Sequence, residues 1–422
     1  MPGLGYAVTQ VGALQNTKPN IPTDESVGGI LFDLFGFDNP FSQYPTLMNN
    51  FGAQQIHLVN NMDEAEELGI VEGFMSGLVY YHLSMFYDYI GGDAPLYIAF
   101  VDCSSGWDFI EYMQRMTGGR LFQLGIWTTQ PLWKTRPNGT TELTVLISNV
   151  EDALEEVNGV IGEKSATQTP LNIILSPDTN VSISNLKKLP NAIPLNTPKI
   201  SVLLCQDGSA NVLEIQSKLP SNTPVGSVGI ALAILSIAGA EESIGAVAKF
   251  NLNKNDKFQN PEIAIGDNHF LLENINRTTL NLLASYGYII PVTYDSKEGE
   301  CFYNGDTTLS DGDYSTIANN RVMHKCRRAL FNALLPYINS NTLYEDALSG
   351  LSTVATQILE EAIGASLTGT LINKEGQYQI GGYQITVIEG KNILQDDTVS
   401  IKYSVNPINY NEIITDSVII AE

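Results

Sequence analysis

The sequence predicts an α/β protein in which a mainly parallel α/β layer is followed by a C-terminal domain of helices and antiparallel strands. Because of this second part, the whole chain is α+β overall. From about residue 50, short apolar runs alternate with helical stretches, and this β-α-β spacing is typical of a parallel sheet covered by helices. The predicted strands are residues 55–59, 96–101, 121–127, 171–175 and 200–205. At residues 399–405 apolar and polar side chains alternate instead, which is typical of an antiparallel strand with one buried face.

Two helices of the layer have clear sequence signals. Asn61 is a favourable N-cap, acidic residues follow it in the first turn, and Gly69 ends the segment. Further along, Ile110, Met113 and Met116 recur at helical spacing after the apolar run of residues 96–101. Each segment therefore predicts a helix that follows or precedes a buried strand.

A stretch rich in Gly, Ala and Ile spans residues 225–247. It contains neither of the glycine patterns that cradle phosphate groups, so it predicts a helix that packs closely against a neighbour rather than a nucleotide site. Residues 315–336 predict a longer helix, followed by another at about 342–361. One stripe of the longer helix is apolar, and it comprises Val322, Cys326, Ala329, Leu330 and Ala333.

Length and charge limit the classes of function. A chain of 422 residues with 43% hydrophobic content is expected to fold into two or three domains. Its formal net charge of −24 repels phosphate backbones and anionic lipids, so we expect no nucleic-acid partner and no direct membrane partner. The longest largely apolar run, residues 230–238, is far shorter than the roughly 20 residues of a membrane span.

The four cysteines show no C-x-x-C spacing, and four separate thiols suit a reducing compartment, although disulfides remain an alternative. The N-terminus has neither the basic nor the apolar region of a secretory signal. These features predict synthesis and folding in the cytoplasm, without a metal or other cofactor.

No catalytic set is evident. The four histidines, His57, His82, His269 and His324, lie far apart, and the Gly-x-Ser-x-Gly nucleophile motif does not occur. The acidic segment at 306–313 resembles a calcium loop but lacks its later ligands, so it predicts a turn that leads into the following helix. The sequence therefore predicts no catalytic, cofactor or metal site, and a protein that is not an enzyme.

A basic cluster stands out on the helix at 315–336. Arg321, Lys325, Arg327 and Arg328 lie within eight positions in a chain that has only 22 basic residues. One interpretation is a positive interface patch that meets an acidic surface of another copy or another protein. The other is a solvated helix face supported by nearby acidic residues.

Apolar, strand-like segments lie near both ends of the chain. The predicted organisation is an N-terminal strand arm and tether at 1–22, an α/β domain at 23–250, a C-terminal core domain at 251–405 and a C-terminal strand arm at 406–422. The arms either donate strands to a neighbouring sheet or, as alternatives, form a frayed terminus and the last strand of the chain's own sheet. The candidate donor residues are Tyr6, Val8, Val11, Ile414, Val418, Ile419 and Ile420.

A β-hairpin is predicted shortly before the C-terminal arm. Gly381-Gly382 separates two strand-like runs, and both positions of such a tight turn favour glycine. The hairpin residues considered as a possible strand acceptor are Tyr378, Ile380, Tyr383, Ile385 and Val387.

Several segments together resemble the tail sheath proteins of contractile phages and related injection systems, in particular the compact Mu-like and Bacteroidetes-type sheaths. The matching segments are residues 63–70, the small-residue helix at 227–245, residues 321–330 with 334–338, and the β-rich end. The resemblance spans most of the chain without a single diagnostic motif, and residues 130–221 contribute nothing to it.

The resemblance implies a structural subunit that polymerises helically around an inner tube and contracts to drive the tube through a target envelope. It implies as partners other copies of the chain, an inner tube protein, and baseplate and terminator or cap proteins. The particle, a phage tail or an injection system, would be assembled in the bacterial cytoplasm. In this family both arms extend a sheet in another subunit, and the predicted hairpin is the corresponding acceptor. The alternatives are an α/β enzyme, such as a hydrolase or nucleotide-dependent transferase, and another tube or baseplate component.

Overall fold

The structure, a computed structural model, describes most of the chain from residue 24 to residue 334 and four short strands beyond it. The described residues are 24–37, 56–71, 74–158, 169–179, 186–254, 258–265, 268–294, 299–303, 308–312, 314–334, 371–372, 378–379, 383–388 and 400–405. The two predicted terminal arms, the helix at 342–361 and Ile380 lie outside them, so these predictions remain predictions.

The strands are β1 (Gly28–Asp33), β2 (Ile56–Val59), β3 (Leu96–Val101), β4 (Gln123–Pro131), β5 (Trp133–Thr135), β6 (Thr141–Leu143), β7 (Asn172–Asp178), β8 (Ile200–Leu203), β9 (Gln206–Asp207), β10 (Pro261–Ile265), β11 (Asn268–Leu271), β12 (Tyr288–Thr293), β13 (Glu300–Tyr303), β14 (Leu371–Ile372), β15 (Tyr378–Gln379), β16 (Tyr383–Ile388) and β17 (Ser400–Val405). The α-helices are α1 (Met62–Glu67), α2 (Phe74–Ile90), α3 (Phe109–Met116), α4 (Leu146–Asn158), α5 (Ala210–Ser217), α6 (Val228–Ile237), α7 (Arg277–Ser285) and α8 (Ile317–Leu334).

An eight-stranded sheet forms the centre of the molecule, in the order β13-β12-β8-β7-β4-β1-β3-β2. The six inner strands pair in parallel, whereas β2 and β13 close the two edges in antiparallel pairing. This arrangement confirms the predicted parallel α/β layer. The prediction succeeded because parallel strands are buried on both faces and so appear in the sequence as short, continuous apolar runs.

Helices cover both faces of the sheet. Successive side chains of a strand point to opposite faces, and β1 shows the consequence. Ile30 and Phe32 join the hydrophobic core that includes residues of α2 and α6, whereas Leu31 joins the second core, with residues of α3, α4 and α7. The sheet is therefore a shared wall between two apolar layers.

The predicted domain boundary at residue 250 falls inside this sheet. Strand β12 pairs in parallel with β8, and β13 pairs with β12. Residues 288–303 therefore complete the α/β layer instead of belonging to a separate C-terminal core. Sequence pattern missed this because the short antiparallel sheet β9-β10-β11 interrupts the alternation between β8 and β12.

The C-terminal strands form two antiparallel pairs. Strand β15 pairs with β14, and β16 pairs with β17 along its whole length. The predicted hairpin, with Tyr378 on one strand and Tyr383, Ile385 and Val387 on the other, is therefore not the pairing observed. Tyr378 and Tyr383, on either side of the two glycines, belong to different ribbons.

Helix α6 approaches α2 closely because of Gly229. A Cβ atom at this position would lie 2.2 Å from the carbonyl oxygen of His82 on α2. The imidazole of His82 also joins the two segments, since its Nε2 donates to the Val225 carbonyl at 3.0 Å and its Nδ1 accepts from the Gly229 N–H at 3.4 Å. Residues 228–237 of the small-residue stretch thus form a close-packed helix, as predicted, whereas residues 238–247 are not helical.

Gly229→Ala is expected to lower the free energy of unfolding by about 1–3 kcal/mol, because the added methyl group pushes α6 away from α2. The matched control is Gly77→Ala on α2, where an added Cβ meets no heavy atom within 4 Å. That change is expected to be neutral or to stabilise by up to about 1 kcal/mol through helix propensity. Urea unfolding of both variants measures the difference, and equal effects would contradict the close-approach explanation.

Candidate functional site

The histidines do not form a catalytic group. His57 lies on edge strand β2, His82 on α2, His269 on β11 and His324 on α8. Within the part of the chain that the structure describes, no three His, Cys, Asp or Glu residues lie close enough together to hold a metal ion. Desolvation lowers the pKa of His82 to about 3, and burial among basic groups lowers that of His324 well below its ordinary value. Both are therefore neutral core residues at physiological pH.

The carboxyl edge of the sheet is where open α/β folds usually bind ligands, at the point where the strand order reverses. Here that point lies between β1 and β4, and Asp33 fills it. Its carboxylate accepts from Thr128 Oγ1 at 2.5 Å, from Gln130 Nε2 at 2.9 Å and from the Cys103 N–H at 2.9 Å. Burial raises the pKa of Asp33, which is opposed by these hydrogen bonds. Internal contacts thus occupy the position of an α/β ligand site.

The acidic segment before α8 is a turn, as predicted for its described residues. Gly312 has a φ of 103°, and its carbonyl accepts from the Ser315 N–H at 3.1 Å. Thr316 Oγ1 accepts from the Asn319 N–H at 3.1 Å and so satisfies a free donor in the first turn of the helix. Residues 306 and 313 lie outside the described part of the chain.

A cleft of about 660 Å³ opens between α2 and α5. Desolvation raises the pKa of Asp207 in its wall to about 6, but the carboxylate also accepts from the N–H groups of Ser209 and Gln259. On the rim, Glu214 pairs with Lys218 at 2.6 Å. Asp207 thus holds the residues at the start of α5 and the neighbouring loop, and Glu214 is engaged by a lysine of its own helix.

The basic cluster on α8 is largely internal. Arg321 and Arg328 are both 0% exposed. Lys325 and Arg327 are only partly buried. The predicted interface patch is therefore wrong for its two most prominent members, and the alternative of a solvated helix face is wrong for the same reason. Arginine can be buried when its rigid, fork-shaped group of donors finds enough acceptors.

Arg321 caps the C-terminal end of α6. Its guanidinium donates to the carbonyl oxygens of Leu235 at 2.9 Å, Ala238 at 3.1 Å and Gly239 at 3.0 Å. The last carbonyl groups of a helix have no partner within the helix, and the negative end of its dipole favours a cation. One side chain from a helix more than 80 positions away in the sequence thus satisfies this end of α6.

Arg328 joins the segments that enter two central strands. It donates to the carbonyl oxygens of Gly119 and of Leu121 just before β4, and to that of Pro170 just before β7. The guanidinium carbon also lies 4.0 Å from the centre of the Phe122 ring, which adds a cation–π contact. Burial lowers the pKa of Arg328 to about 9, so the group is still charged at neutral pH.

Helix α8 therefore lies against the amino edge of the sheet. Besides the two arginines, Asn320 donates to the Pro198 carbonyl at 2.7 Å, just before β8, and Lys325 pairs with Glu25 at 2.6 Å, just before β1. Four neighbouring strands, β1, β4, β7 and β8, thus have their entry segments tied to one helix. Sequence reasoning located this helix but missed Glu25 and Asn320, since neither carries a local signal of its partner.

No helix within the described ranges is long and apolar enough to cross a membrane. The four cysteines, Cys103, Cys205, Cys301 and Cys326, are all buried and unpaired with one another.

Comparisons with known proteins give one family model, "DUF2586, C-terminal domain", which matches residues 313–420. No curated protein matches the chain. Three similar solved chains come from contractile particles, as follows. The contracted helical sheath of the anti-feeding prophage (AFP) has 12% identity and a TM-score of 0.58, over 96% of both chains. The contracted sheath complex of the extracellular contractile injection system PVC has 11% sequence identity and a TM-score of 0.54, over 93% of this chain and 91% of the other. A chain of the AFP baseplate has 12% sequence identity and a TM-score of 0.56, over 94% of both chains.

At these identities the likeness is one of fold, and it extends over nearly the whole chain. The protein thus has the fold found in contractile sheath assemblies, as the resemblance in the sequence predicted.

Arg321→Met is expected to lower the free energy of unfolding by about 2–4 kcal/mol, because it leaves the buried carbonyls at the end of α6 without their donor. Arg327→Met, on the partly exposed side of the same helix, is the control and is expected to cost less than about 1 kcal/mol. Urea unfolding of the two variants tests the difference. Similar small losses would show that Arg321 acts at the surface after all.

His82→Gln is expected to reduce the acid sensitivity of the fold. The ordinary pKa of 6.5 falls to about 3 on folding, so the unfolded state takes up the proton first and stability is lost as the pH falls through this window. Between pH 7 and pH 5 this amounts to about 2 kcal/mol. The variant should lose that much less over the same interval, since glutamine can still donate to Val225 and accept from Gly229.

The measurement for His82→Gln is urea unfolding at pH 7 and pH 5, with His57→Gln as the comparison for replacing a histidine outside the core. Burial raises the pKa values of Asp33 and Asp207, which gives a stability change of the opposite sign, but it is present in wild type and variants alike. An unchanged pH dependence in His82→Gln would contradict the assignment of a neutral, buried imidazole.

Proposed function

We propose that this chain is the structural subunit of a contractile sheath. It polymerises helically around an inner tube, and contraction of the polymer drives the tube through a target envelope. The observation that carries the proposal is the fold likeness over 96% of the chain to a protein of the helical AFP sheath, together with the likeness to the PVC sheath.

The contacts at the carboxyl ends and at the amino ends of the central strands support a structural role over an enzymatic one. At the carboxyl edge, Asp33 and its partners fill the position where an α/β enzyme would bind a ligand. At the amino edge, α8 covers the entry segments of four strands. His82 and the buried arginines of α8 are likewise engaged in contacts within the fold, and the α/β architecture alone is weak support for the enzyme alternative.

The partners of the proposed subunit are other copies of the chain, an inner tube protein, and baseplate and terminator or cap proteins. Repeated head-to-tail contacts between identical subunits produce helical filaments when the rotation does not close a ring. The particle is a phage tail or a phage-derived injection system assembled in the bacterial cytoplasm. The high net negative charge of −24 keeps the unassembled subunit away from nucleic acid and anionic lipid.

Strand exchange is the proposed link between subunits. The donors are the N-terminal segment with Tyr6, Val8 and Val11 and the C-terminal segment 413–421. The ribbon β16–β17 is the proposed acceptor, because among the described residues each of its strands pairs with the other alone, and a two-stranded ribbon gains stability from further strands. Backbone hydrogen bonds across such a joint resist pulling, while the Pro- and Asn-containing tethers allow subunits to rotate. Contraction then requires no nucleotide, since the energy resides in the difference between two packings of the lattice.

A position in the baseplate is the second candidate, because one of the similar chains belongs to the AFP baseplate structure. A sheath subunit and a baseplate component of the same fold differ in assembly. The first forms long cylinders by itself, whereas the second stops at a ring or requires other proteins.

Negative-stain microscopy of the purified chain is the direct test, and we expect helical cylinders or stacked rings from the protein alone. Particles that remain monomeric at every concentration and salt condition would contradict the sheath proposal. Isolated rings without stacking would favour the baseplate alternative.

Deletion of residues 413–422 is expected to abolish cylinders while it leaves the thermal unfolding of the monomer unchanged, because the proposed partner of this segment is another subunit. Deletion of residues 1–11 is expected to have the same effect from the opposite end. Normal cylinders from either truncated chain, seen by the same microscopy, would refute strand exchange through that arm.

A further inference from the structure

Glu25 lies where the predicted N-terminal arm meets the central sheet. Its carboxylate pairs with Lys325 of α8, with 2.6 Å between Oε1 and Nζ. Its carbonyl oxygen accepts from Gln123 Nε2 at 3.1 Å and from Arg321 Nη2 at 3.4 Å. Two side chains of one helix thus hold a single residue at the entry to β1.

The surroundings of this contact make it firmer than an ordinary surface ion pair. The side chains of Lys325 and Glu25 are 20% and 23% exposed, so water screens the pair only partly. The neighbouring Arg321 is fully buried. Its guanidinium donates both to the Leu235 carbonyl at the end of α6 and to the Glu25 carbonyl. The contact is therefore fastened to the packed centre of the α/β layer.

Helix α8 is also the first helix of the region from 313 to 420 that the family model matches as a separate domain. The polypeptide continues from it into the C-terminal strands and the predicted C-terminal arm. Along the chain, Glu25 and Lys325 are 300 positions apart, yet in space they are joined by one ion pair. The roots of the two terminal regions therefore meet at this point.

We propose that Glu25, Arg321 and Lys325 form a coupling joint that connects the root of the N-terminal arm directly to the helix that leads into the C-terminal region. This inference rests on the proposed function, in which both arms link neighbouring subunits. A pull on the N-terminal arm reaches α8 across the joint without first being transmitted through the strands of the sheet. The joint keeps the root of the N-terminal arm and α8 in a fixed relation while the lattice rearranges.

The physical basis of the coupling is that the joint acts on the backbone as well as on a side chain. The ion pair alone is a flexible link, because lysine has a long side chain. The bonds from Arg321 and Gln123 to the Glu25 carbonyl fix the direction in which the chain enters β1. The proposed arm therefore starts from a fixed residue, and such preorganisation lowers the entropy that is lost when a neighbour binds it.

The test compares two ion pairs of equal length in the assembled protein. The joint is weakened by Glu25→Gln combined with Lys325→Met. The matched control is Glu214→Gln combined with Lys218→Met on α5, where the two charged atoms are also 2.6 Å apart but lie far along the chain from either arm. Arg321 is left unchanged because its substitution is expected to destabilise the whole fold.

Two quantities are measured for each variant: the melting temperature of the unassembled protein and the critical concentration for assembly, determined by sedimentation and checked by microscopy. The joint variant is expected to melt within about 2 °C of wild type and to raise the critical concentration about two- to fivefold, the range that corresponds to loss of one ion pair. The control pair is expected to change neither quantity. The charge-swapped variant, Glu25→Lys with Lys325→Glu, is expected to restore assembly at least in part.

The possible failures are distinguishable. Wild-type protein that forms neither cylinders nor rings overturns the proposed function, and the joint, which rests on it, falls with it. Wild-type cylinders with an unchanged critical concentration in the joint variant overturn the joint alone. The same holds if the control pair has an equal effect, or if weaker assembly merely follows a lower melting temperature.

Discussion

The structure depends on the bonds between buried guanidinium groups of α8 and backbone carbonyl oxygens. Arg321 satisfies the end of α6, and Arg328 satisfies the segments that enter β4 and β7. Without these donors the carbonyls would be buried and unpaired, and each would cost about 1–3 kcal/mol. Several carbonyl dipoles, together with the dipole of a helix end, stabilise the positive charge. Two members of the basic cluster that the sequence assigns to the surface thus stabilise the buried contacts between α8 and the central sheet.

The carboxyl ends and the amino ends of the central strands are held by different contacts within the chain. At the carboxyl edge, Asp33 collects hydrogen bonds from neighbouring strands and fills the position that would otherwise be open to a ligand. At the amino edge, α8 fastens the entry segments of four strands. Contacts within the chain therefore occupy both ends of these strands.

Sequence patterns located the strands β2, β3, β4, β7 and β8 of the α/β layer, since such patterns depend on neighbouring residues, but they missed β1, β12 and the long helix α2. The apolar run at β3 predicted a strand with the observed bounds, and Asn61 begins α1 as its capping side chain indicated. The predictions that failed were about partners. The two tyrosines on either side of Gly381-Gly382 belong to different ribbons, and β12 returns to the first sheet beyond the predicted boundary. Strand pairing depends on contacts between residues far apart in the chain, and the local pattern of one sequence does not indicate which strands meet.

The sequence by itself determined the fold class, the positions of β2, β3, β4, β7 and β8 and the existence of α8, because hydrophobic periodicity and capping are local properties. Only the tertiary structure decided that Arg321 and Arg328, and not the apolar stripe of α8 alone, face inward. A charged side chain is usually exposed, so four basic residues on one helix indicate a surface. The acceptors that make burial of Arg321 and Arg328 favourable come from residues 119–121, 170 and 235–239, and only the folded chain brings them to the helix.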